Sequence, residues 1–435
     1  MMNLAQAEDI RLLIVDPGHF HAALLQREMY PGISPKVSVY APLGPEVLDY
    51  LNRVSLFNNA PTRPTAWQLE VHTSPDFLTR MLEDHARSAG NAVVFTGRNR
   101  PKINRILQSL DAGYHVFADK PWIIRSSDME ELVLALDLAR DKKLAAYDIM
   151  TERFEITSIL QREFVNTAGV YGDQLKGSAA DPGIKASSIH HLMKVVAGVP
   201  LKRPVWFFNI GEYGEALADV GTHVVDLVHW TAFPQLQLDY QREVQILSGR
   251  RWPTMISHAQ FEQVTGAKAF PVELAPWVKD SKLSYFANNS VSYTVRGVHI
   301  ALDILWNWES ATGDVYDASF RGSLAKVEIR QGEDEQFVPQ LYVFPAQLSP
   351  VWRKAMTDKM AALEKTFPGL TWDAATGRIG IPDRYRVGHE AHFAQVARRF
   401  FAYVRNPVSM DAWERSNMLV KYYISTRGVE ISQPQ

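Results

Sequence analysis

Residues 10–30, "IRLLIVDPGHFHAALLQREMY", set the architecture of the first part of the chain. The apolar run "IRLLIV" predicts a buried strand, and the spacing of apolar residues in "HAALLQREMY" predicts a helix. The alternation continues with strand candidates "KVSVYA", "AVVFTG", "YHVFADKP" and "LAAYDIM" and helix candidates "EVLDYLNRV", "DFLTRMLEDHARS", "KINRILQSLDAG" and "MEELVLALDLARDKK". This rhythm predicts an α/β domain over residues 1–150, with a doubly wound parallel sheet that binds ligands at the carboxyl ends of its strands.

The pattern changes between residues 147 and 151. Helices are predicted at "RFEITSILQREFVN", "SSIHHLMKVVAG" and "EALADVGTHVVDLVHW", and near the end at "VWRKAMTDKMAALEKTF", "EAHFAQVARRFFAYVRN" and "AWERSNMLVKYYISTRG". From residue 236 to about 328, period-two stretches such as "LSYFANNSVSYTVRG" and "VHIALDILWNW" indicate a sheet with one covered face. Residues 151–435 are therefore predicted to form an α+β domain with helices and an open, largely antiparallel sheet.

The composition is that of an ordinary soluble globular protein. Hydrophobic residues make up 46% and charged residues 22% of the 435 residues, and the net charge is -2, so nothing favours nucleic acid or a membrane as partner. The absence of cysteine excludes disulfides, thiolate nucleophiles and cysteine-ligated metal sites. The first residues lack a basic region and an apolar stretch, which predicts a cytoplasmic protein; "AQA" at residues 5–7 leaves a periplasmic location as the alternative if a signal was trimmed.

The turn after the first predicted strand, "VDPGHFHAALL", stands where a Rossmann-like domain carries G-x-G-x-x-G. The corresponding residues are Asp16, Gly18 and His21, so only the middle glycine is present. The turn either approaches a dinucleotide or is a tight strand-to-helix connection in which Pro17 fixes φ. The second strand ends in "YAP", without an acidic residue or an arginine for the ribose, and this leaves NAD or NADP open.

Two further stretches carry polar residues in a pattern that suits catalysis. In "ADKPW", Asp119 and Lys120 follow a parallel strand on its ligand side, where the lysine either meets a substrate oxygen or is solvated. In "EALADVGTHVVDLVHW", the spacing of Asp219, His223 and Asp226 places them on one stripe of a helix. They either satisfy one another in a partly buried helix or form an acid–base pair at His223.

A metal site is the third interpretation of this stripe. Asp219 and His223 would need a third ligand from His190 or His191, but no recognisable ligand spacing supplies one, and we predict no metal.

Taken together, "ADKPW" and "ADVGTHVVDLVHW" resemble the two signatures of the glucose–fructose oxidoreductase/inositol dehydrogenase (Gfo/Idh/MocA) family, Glu-Lys-Pro and an Asp-x-Gly-x-His helix. The resemblance extends to about residue 330, where "YDASFRGSLAKVEIR" is similar to the family's closing sheet segment. "FTGRNRPK", "YDIMTERFEITSILQ" and "SSIHHLMKVVAGVPLKRPVWFFN" resemble a subgroup of oxidoreductases with a distinctive C-terminal domain. The chain departs from the family at Asp119, in the glycine pattern and at Lys102, which replaces a frequent histidine.

The resemblance implies hydride transfer between a secondary hydroxyl of a sugar, polyol or glycoside and NAD or NADP. It assigns catalysis to Lys120, Asp219 and His223, with His223 as acid–base and Asp219 as partner of the lysine. Residues expected at the cofactor are Asp16, Gly18, His19, Phe20, Thr96, Asn99, Asp119 and Lys120, and those expected at the substrate are Tyr147, Arg153, His190, Asp219 and His223.

Two other functions fit the same pattern. One is a redox-neutral enzyme that retains NAD and cleaves or epimerises a glycoside; the other is a non-enzymatic sugar or nucleotide sensor. If the open face of the second sheet is apolar, sheet-to-sheet association would give a homo-oligomer, a dimer or a tetramer.

Overall fold

The computed structural model describes residues 10–84, 91–196, 199–200, 202–310 and 312–433, and these residues form two compact units. Unit 1 contains the chain up to residue 123, residues 127–151 and residues 390–411; unit 2 contains residues 124–126, 152–389 and the chain from residue 412. The sequence analysis placed everything after residue 150 in one domain. In the structure, residues 390–411 belong with the first unit.

Unit 1 is built on a parallel sheet of six strands within the described residues. The strands are β1 (Ile10–Val15), β2 (Ile33–Ala41), β3 (Gln68–Thr73), β4 (Ala92–Phe95), β5 (His115–Ala118) and β6 (Ala146–Asp148). Their order across the sheet is β3-β2-β1-β4-β5-β6, and every neighbouring pair is parallel. This is the order of a Rossmann domain, in which the direction of winding reverses between β1 and β4. The predicted doubly wound sheet is confirmed.

Unit 2 contains a sheet of ten strands, again counted over the described residues. They are β7 (Ile184–His191), β10 (Val244–Ser257), β11 (Val278–Lys279), β12 (Lys282–Val295), β13 (Val298–Asn307), β14 (Val315–Arg321), β15 (Ala325–Gln331), β16 (Gln340–Pro345), β17 (Thr371–Trp372) and β18 (Arg378–Gly380). A separate short ladder joins β8 (Val195–Val196) and β9 (Val199–Pro200). The sheet order is β10-β12-β13-β7-β14-β15-β16-β18-β17, with β11 paired to β12. Only the β7–β13 pair is parallel among the described pairs of this sheet, so the predicted largely antiparallel sheet is confirmed.

The helix predicted at "SSIHHLMKVVAG" is wrong. Its first residues belong to β7, which lies in the middle of the large sheet between β13 and β14. Ile184, Ala186 and Ser188 are buried in alternation with more exposed residues. This is the period of a strand, and it is hidden in the sequence because the alternating side chains are small and polar. The sheet therefore begins before residue 236, the predicted start, and β16 to β18 extend it beyond residue 328.

The helices follow the other predictions closely. They are α1 (His21–Leu24), α2 (Pro45–Asn58), α3 (Phe77–Asp84), α4 (Lys102–Asp111), α5 (Met129–Asp141), α6 (Ile156–Val165), α7 (Ala168–Tyr171), α8 (Val220–Ala232), α9 (His258–Thr265), α10 (Pro350–Glu364), α11 (His389–Arg405) and α12 (Ala412–Ile431). The first helix is four residues long where "HAALLQREMY" predicted about ten. The chain leaves α1 early at Gln26, whose carbonyl oxygen accepts a hydrogen bond from Trp67 Nε1 at 2.7 Å. No described helix has both the length and the apolarity needed to cross a membrane.

A groove on the large sheet is lined by charged residues and by small apolar ones. Lys185, Asp303 and Arg330 lie in it together with Asp317 and Glu328, and the groove also contains Ala186, Ala301, Ala318 and Ile329. Tyr293 and Leu302, which are among the apolar residues of "LSYFANNSVSYTV" and "IALDILWNW", point into the core of unit 2. The expected sheet-to-sheet association stays a prediction.

A buried ion network fixes α8 in unit 2. Asp226, in the middle of α8, accepts hydrogen bonds from Arg153 at 2.6 and 2.7 Å, from Lys421 at 3.0 Å and from Asn417 at 2.8 Å. The other side of the Arg153 guanidinium donates to Glu414 at 2.9 and 3.0 Å. Burial alone would raise the pKa of Asp226, but Arg153 and Lys421 hold it well below its usual range. The network therefore joins α8, α12 and the segment before α6 through charged groups that water does not reach.

We expect Asp226→Ala to lower the free energy of unfolding of unit 2 by about 3–5 kcal/mol, because it removes the carboxylate that is bonded to the buried cations Arg153 and Lys421. Urea unfolding followed by circular dichroism measures the change. The control is Asp358→Ala, which removes an exposed i,i+4 pair with Lys354 and should cost less than about 1 kcal/mol. Equal losses in the two variants would contradict a special role for the Asp226 network.

Candidate active site

The ligand-side edge of the unit 1 sheet carries the residues predicted to meet a cofactor. Asp16 to Phe20 follow β1, Thr96 to Asn99 follow β4, and Asp119 and Lys120 follow β5. β1 and β4 are neighbours at the reversal of the strand order, which is where open α/β sheets bind their ligands. The structure thus brings all eight predicted cofactor residues to one edge of unit 1. The Lys120–Pro121 peptide is cis.

Asp16 ties the ends of β1 and β4 together. Its carboxylate accepts a hydrogen bond from Arg105 Nη1 at 2.6 Å, and Arg98 Nη1 lies 3.8 Å from its other oxygen. A Cβ at Gly97 would stand 2.3 Å from the Asp16 carbonyl oxygen, so this position requires glycine. Asp16 itself has φ 50°, which bends the chain into the turn that follows.

The Asp119 carboxylate forms hydrogen bonds with two histidines of that turn. Its Oδ2 lies 2.9 Å from His19 Nδ1 and 3.0 Å from His21 Nδ1, and its Oδ1 accepts the backbone N–H of Lys120 at 2.9 Å. Burial lowers the pKa of His21 to about 4. Burial alone would raise the pKa of Asp119, but His21 and His19 hold it well below its usual range. The carboxylate is therefore an anion that fixes the turn after β1 to the end of β5.

Lys102, noted in the sequence only as a departure from the family, is part of this edge. It is fully buried, and its Nζ donates to Asn99 Oδ1 at 2.6 Å and to the carbonyl oxygens of Asp119 at 2.9 Å and Pro121 at 3.1 Å. Burial lowers its pKa to about 7. The ammonium group thus holds the loop after β4 to the backbone around Lys120. Its position at the start of the helix that follows "FTGRNRP" is the sequence feature that could have indicated this role.

The edge of unit 1 has the features needed to hold a dinucleotide. Gly18, His19 and Phe20 are half-exposed, so the backbone of the turn is open, and Arg98 is 37% exposed beside it. An exposed cation and an open turn suit phosphate groups. The four-residue α1 is too short to contribute the helix dipole of a long nucleotide-binding helix.

In unit 2, Asp219 lies at the start of α8 rather than on its stripe. It is the N-cap residue, is 2% exposed, and makes no side-chain capping bond. Its carboxylate instead accepts a hydrogen bond from Tyr213, and burial together with the charge of Asp219 raises the pKa of Tyr213 well above its usual range. His223 is half-buried in the first turn of α8. Tyr213 was not found from the sequence, because nothing in its spacing marks it as a partner of Asp219.

A second histidine–carboxylate cluster lies in unit 2 at the end of β7. Asp314 Oδ2 is 2.9 Å from His190 Nδ1, its Oδ1 is 3.1 Å from His191 Nδ1, and Lys194 Nζ also bonds to it. The two adjacent histidines stand at the end of a strand, not in a helix, and share one carboxylate. Burial lowers the pKa of His190, whereas Asp314 acts to raise it.

The Trp306 ring packs beside this cluster. Its centroid lies 5.1 Å from that of His190, and the guanidinium of Arg203 lies 4.9 Å from the same ring. Arg203 is buried and donates to the carbonyl oxygens of Leu192 at 2.9 Å and His191 at 3.2 Å. Asp314 and Arg203 therefore set the orientation of His190, and neither was found from the sequence.

Two of the residues expected at the substrate, Arg153 and Tyr147, are buried among other side chains. Arg153 is 6% exposed and its guanidinium is bonded to Asp226 and Glu414, which corrects its expected role as a substrate contact. Tyr147 is 2% exposed in β6 and packs edge-on against Tyr403 at 5.2 Å. Tyr147 lies within β6 and Arg153 follows it, and both side chains are buried.

Comparisons with known proteins agree with the fold and the motifs. The family model described as "Putative oxidoreductase C terminal domain" matches residues 160–433. A protein from Parabacteroides merdae, described as a "putative oxidoreductase", is 39% identical, with a TM-score of 0.94 over 98% of both chains. Among curated proteins, no relative matches the chain.

More distant solved structures share the fold alone. A levoglucosan dehydrogenase in complex with NADH is 13% identical, with a TM-score of 0.62 over 98% of this chain and 97% of that one. A 3-ketoreductase from Actinomadura kijaniata, in complex with NADP and TDP-benzene, is 13% identical, with a TM-score of 0.57 over 96% of both chains.

The family match covers more than half of the chain, and the 39% identical relative covers nearly all of it. The chain therefore belongs to the oxidoreductase family defined by the "Putative oxidoreductase C terminal domain".

Proposed function

We propose that this protein is an NAD(P)-dependent oxidoreductase that acts on a secondary hydroxyl of a sugar, polyol or glycoside. The observation that carries the proposal is the position of the two motifs in the fold. Lys120 directly follows β5 on the ligand side of a Rossmann sheet, and Asp219 and His223 stand at the start of α8. The backbone at the end of a strand and in the first turn of a helix is held rigidly by regular secondary structure. It can therefore position the Lys120 and His223 side chains precisely.

The turn after β1 and Arg98 would hold the phosphates of the cofactor. When bound, the nicotinamide supplies the hydride acceptor or donor of the reaction. The residues Tyr40 to Pro42 after β2 provide no carboxylate or guanidinium for the ribose, so the chain is compatible with NAD or NADP. The substrate is a small carbohydrate or polyol, and neither nucleic acid nor a membrane is a partner. We also propose that the protein is a homo-oligomer, a dimer or a tetramer.

His223 is the proposed acid–base. Its imidazole accepts the proton of the substrate hydroxyl, since an unperturbed histidine titrates near neutral pH. Lys120 polarises the substrate oxygen as a positive charge. The charge of Asp219 acts to raise the pKa values of Tyr213, His190 and Arg203. That charge stabilises a neighbouring imidazole or ammonium in its protonated form.

We expect His223→Gln to lower kcat about 10²- to 10⁴-fold, because general acid–base help is lost, while cofactor affinity stays within a few-fold. The assay follows the absorbance of reduced nicotinamide over a panel of sugars, polyols and glycosides, with each cofactor titrated separately. His299→Gln is the matched control, since His299 is also half-buried in unit 2 and lies on β13. Normal turnover in His223→Gln would remove this residue from the mechanism.

His190 is the second histidine proposed at the substrate, and Asp314 is its positioning residue. The Asp314 carboxylate at Nδ1 of His190 fixes the tautomer and the orientation of the imidazole, and it leaves Nε2 as the nitrogen proposed to meet the substrate. The charge of Asp314 raises the pKa of His190 against the effect of burial.

We expect Asp314→Asn to shift the acid limb of the kcat/KM profile to lower pH, because loss of the carboxylate lowers the pKa of His190 further. The neutral imidazole then persists to lower pH, and kcat should fall about tenfold as the ring loses its orientation. The pH dependence of kcat/KM between pH 5 and pH 9 measures the shift. Asp303→Asn, on the exposed side of β13, should leave the limb in place; an unmoved limb in Asp314→Asn would contradict the role.

A further inference from the structure

Three potential metal ligands converge at the ligand-side edge of unit 1. One potential ligand atom from each of His19, His21 and Asp119 lies within 4.8 Å of the other two. Among the described residues, no other group of three or more histidine, aspartate or glutamate side chains meets this condition. The sequence analysis weighed a metal only in unit 2 and did not consider this cluster, because its members are separated by about a hundred positions.

Asp119 lacks the direct lysine or arginine partner that Asp226 and Asp314 have. Its side chain is 5% exposed, and its partners in the described structure are two imidazoles and one backbone N–H. Asp226, by comparison, is bonded to Arg153 and Lys421, and Asp314 is bonded to Lys194. Lys102 is close, but its Nζ donates to the backbone oxygen of Asp119 and not to the carboxylate. A buried carboxylate is costly unless a cation or a metal compensates it.

We propose that His19, His21 and Asp119 bind a divalent transition metal of the zinc class through two imidazole nitrogens and one carboxylate oxygen. Two nitrogens and one oxygen form a donor set that zinc accepts in sites with three protein ligands. Bonds of about 2.0–2.1 Å at tetrahedral angles separate the ligand atoms by roughly 3.3 Å. The observed separations of 2.9 and 3.0 Å between the imidazole nitrogens and Asp119 Oδ2 need to expand by only a few tenths of an ångström.

The surroundings hold the ligands in place. The rings of His19 and His21 meet edge-on with centroids 4.1 Å apart, and His21 also packs 5.2 Å from Phe393. The Lys120 N–H on Asp119 Oδ1 orients the carboxylate, as an outer hydrogen bond does in metal sites.

One side of the site is open. The His19 side chain is 28% exposed, whereas those of His21 and Asp119 are 5% exposed. A fourth position on this side would accept water or a ligand atom, the arrangement of reactive rather than purely structural zinc sites. The inference does not depend on the proposed function, because its test measures metal binding and not turnover.

The test is isothermal titration of ZnCl2 into the full-length protein after treatment with EDTA and dialysis. The variants are His19→Gln and Asp119→Asn, and the matched control is His72→Gln, which changes a histidine of unit 1 with a side chain 24% exposed. Circular dichroism establishes that each variant is folded. Visible absorption of the Co2+-loaded protein reports coordination geometry independently.

We expect one zinc per chain with micromolar or tighter affinity, at least tenfold weaker binding in His19→Gln and Asp119→Asn, and unchanged binding in His72→Gln. Because His19 is half-exposed, His19→Gln decides the matter if Asp119→Asn does not fold. The proposal is overturned if the wild type binds no zinc. It is equally overturned if His19→Gln binds as the wild type does, since zinc would then be held by other histidines and the cluster would be hydrogen-bonded only.

Discussion

The buried charge of Asp226 constrains the rest of unit 2. A carboxylate that is 1% exposed requires cationic partners, and Arg153 and Lys421 supply them from segments distant in sequence. The bonds fix α8 both along its axis and about it. Asp219 lies seven residues earlier, roughly 10 Å along a helix. The ion network therefore sets the position of the first turn of α8 while its polar groups stay available for chemistry.

The three polar residues of the "ADVGTHVVD" stretch consequently have two different roles. Helical spacing alone placed them on one stripe and could not separate these roles. Asp226 is bonded to α12 and to Arg153, so its role is structural. Asp219 stands at the helix N-cap with Tyr213, and His223 is half-buried in the following turn. The difference between these roles follows from the residues that each side chain contacts. For Asp226, those residues are distant in the sequence.

The same limit explains which parts of the molecule the sequence could predict. Alternation of strands and helices is a local property, and the parallel sheet of unit 1 and most helices were predicted from it. β7 was misread because small and polar side chains hid its period of two, and only its pairing with β13 and β14 defines it as a strand. Motif residues such as Lys120 and His223 could be named as candidates from the sequence. The contacts made by Lys102, Tyr213 and Asp314 could not be predicted from it. Their importance comes from bonds that no spacing rule anticipates.

Two histidine–carboxylate clusters show how one missing group changes the chemistry that a site can support. Asp314 and Asp119 each receive two imidazole nitrogens at about 3 Å. At Asp314 the ammonium group of Lys194 balances the charge. At Asp119 the ammonium group of Lys102 donates to carbonyl oxygens, and both imidazoles contact the same carboxylate oxygen. A divalent ion would provide the absent positive charge at the point where the three ligand atoms already converge. This point lies beside the turn after β1, which has only one of the three glycines that a Rossmann domain uses to bind a pyrophosphate.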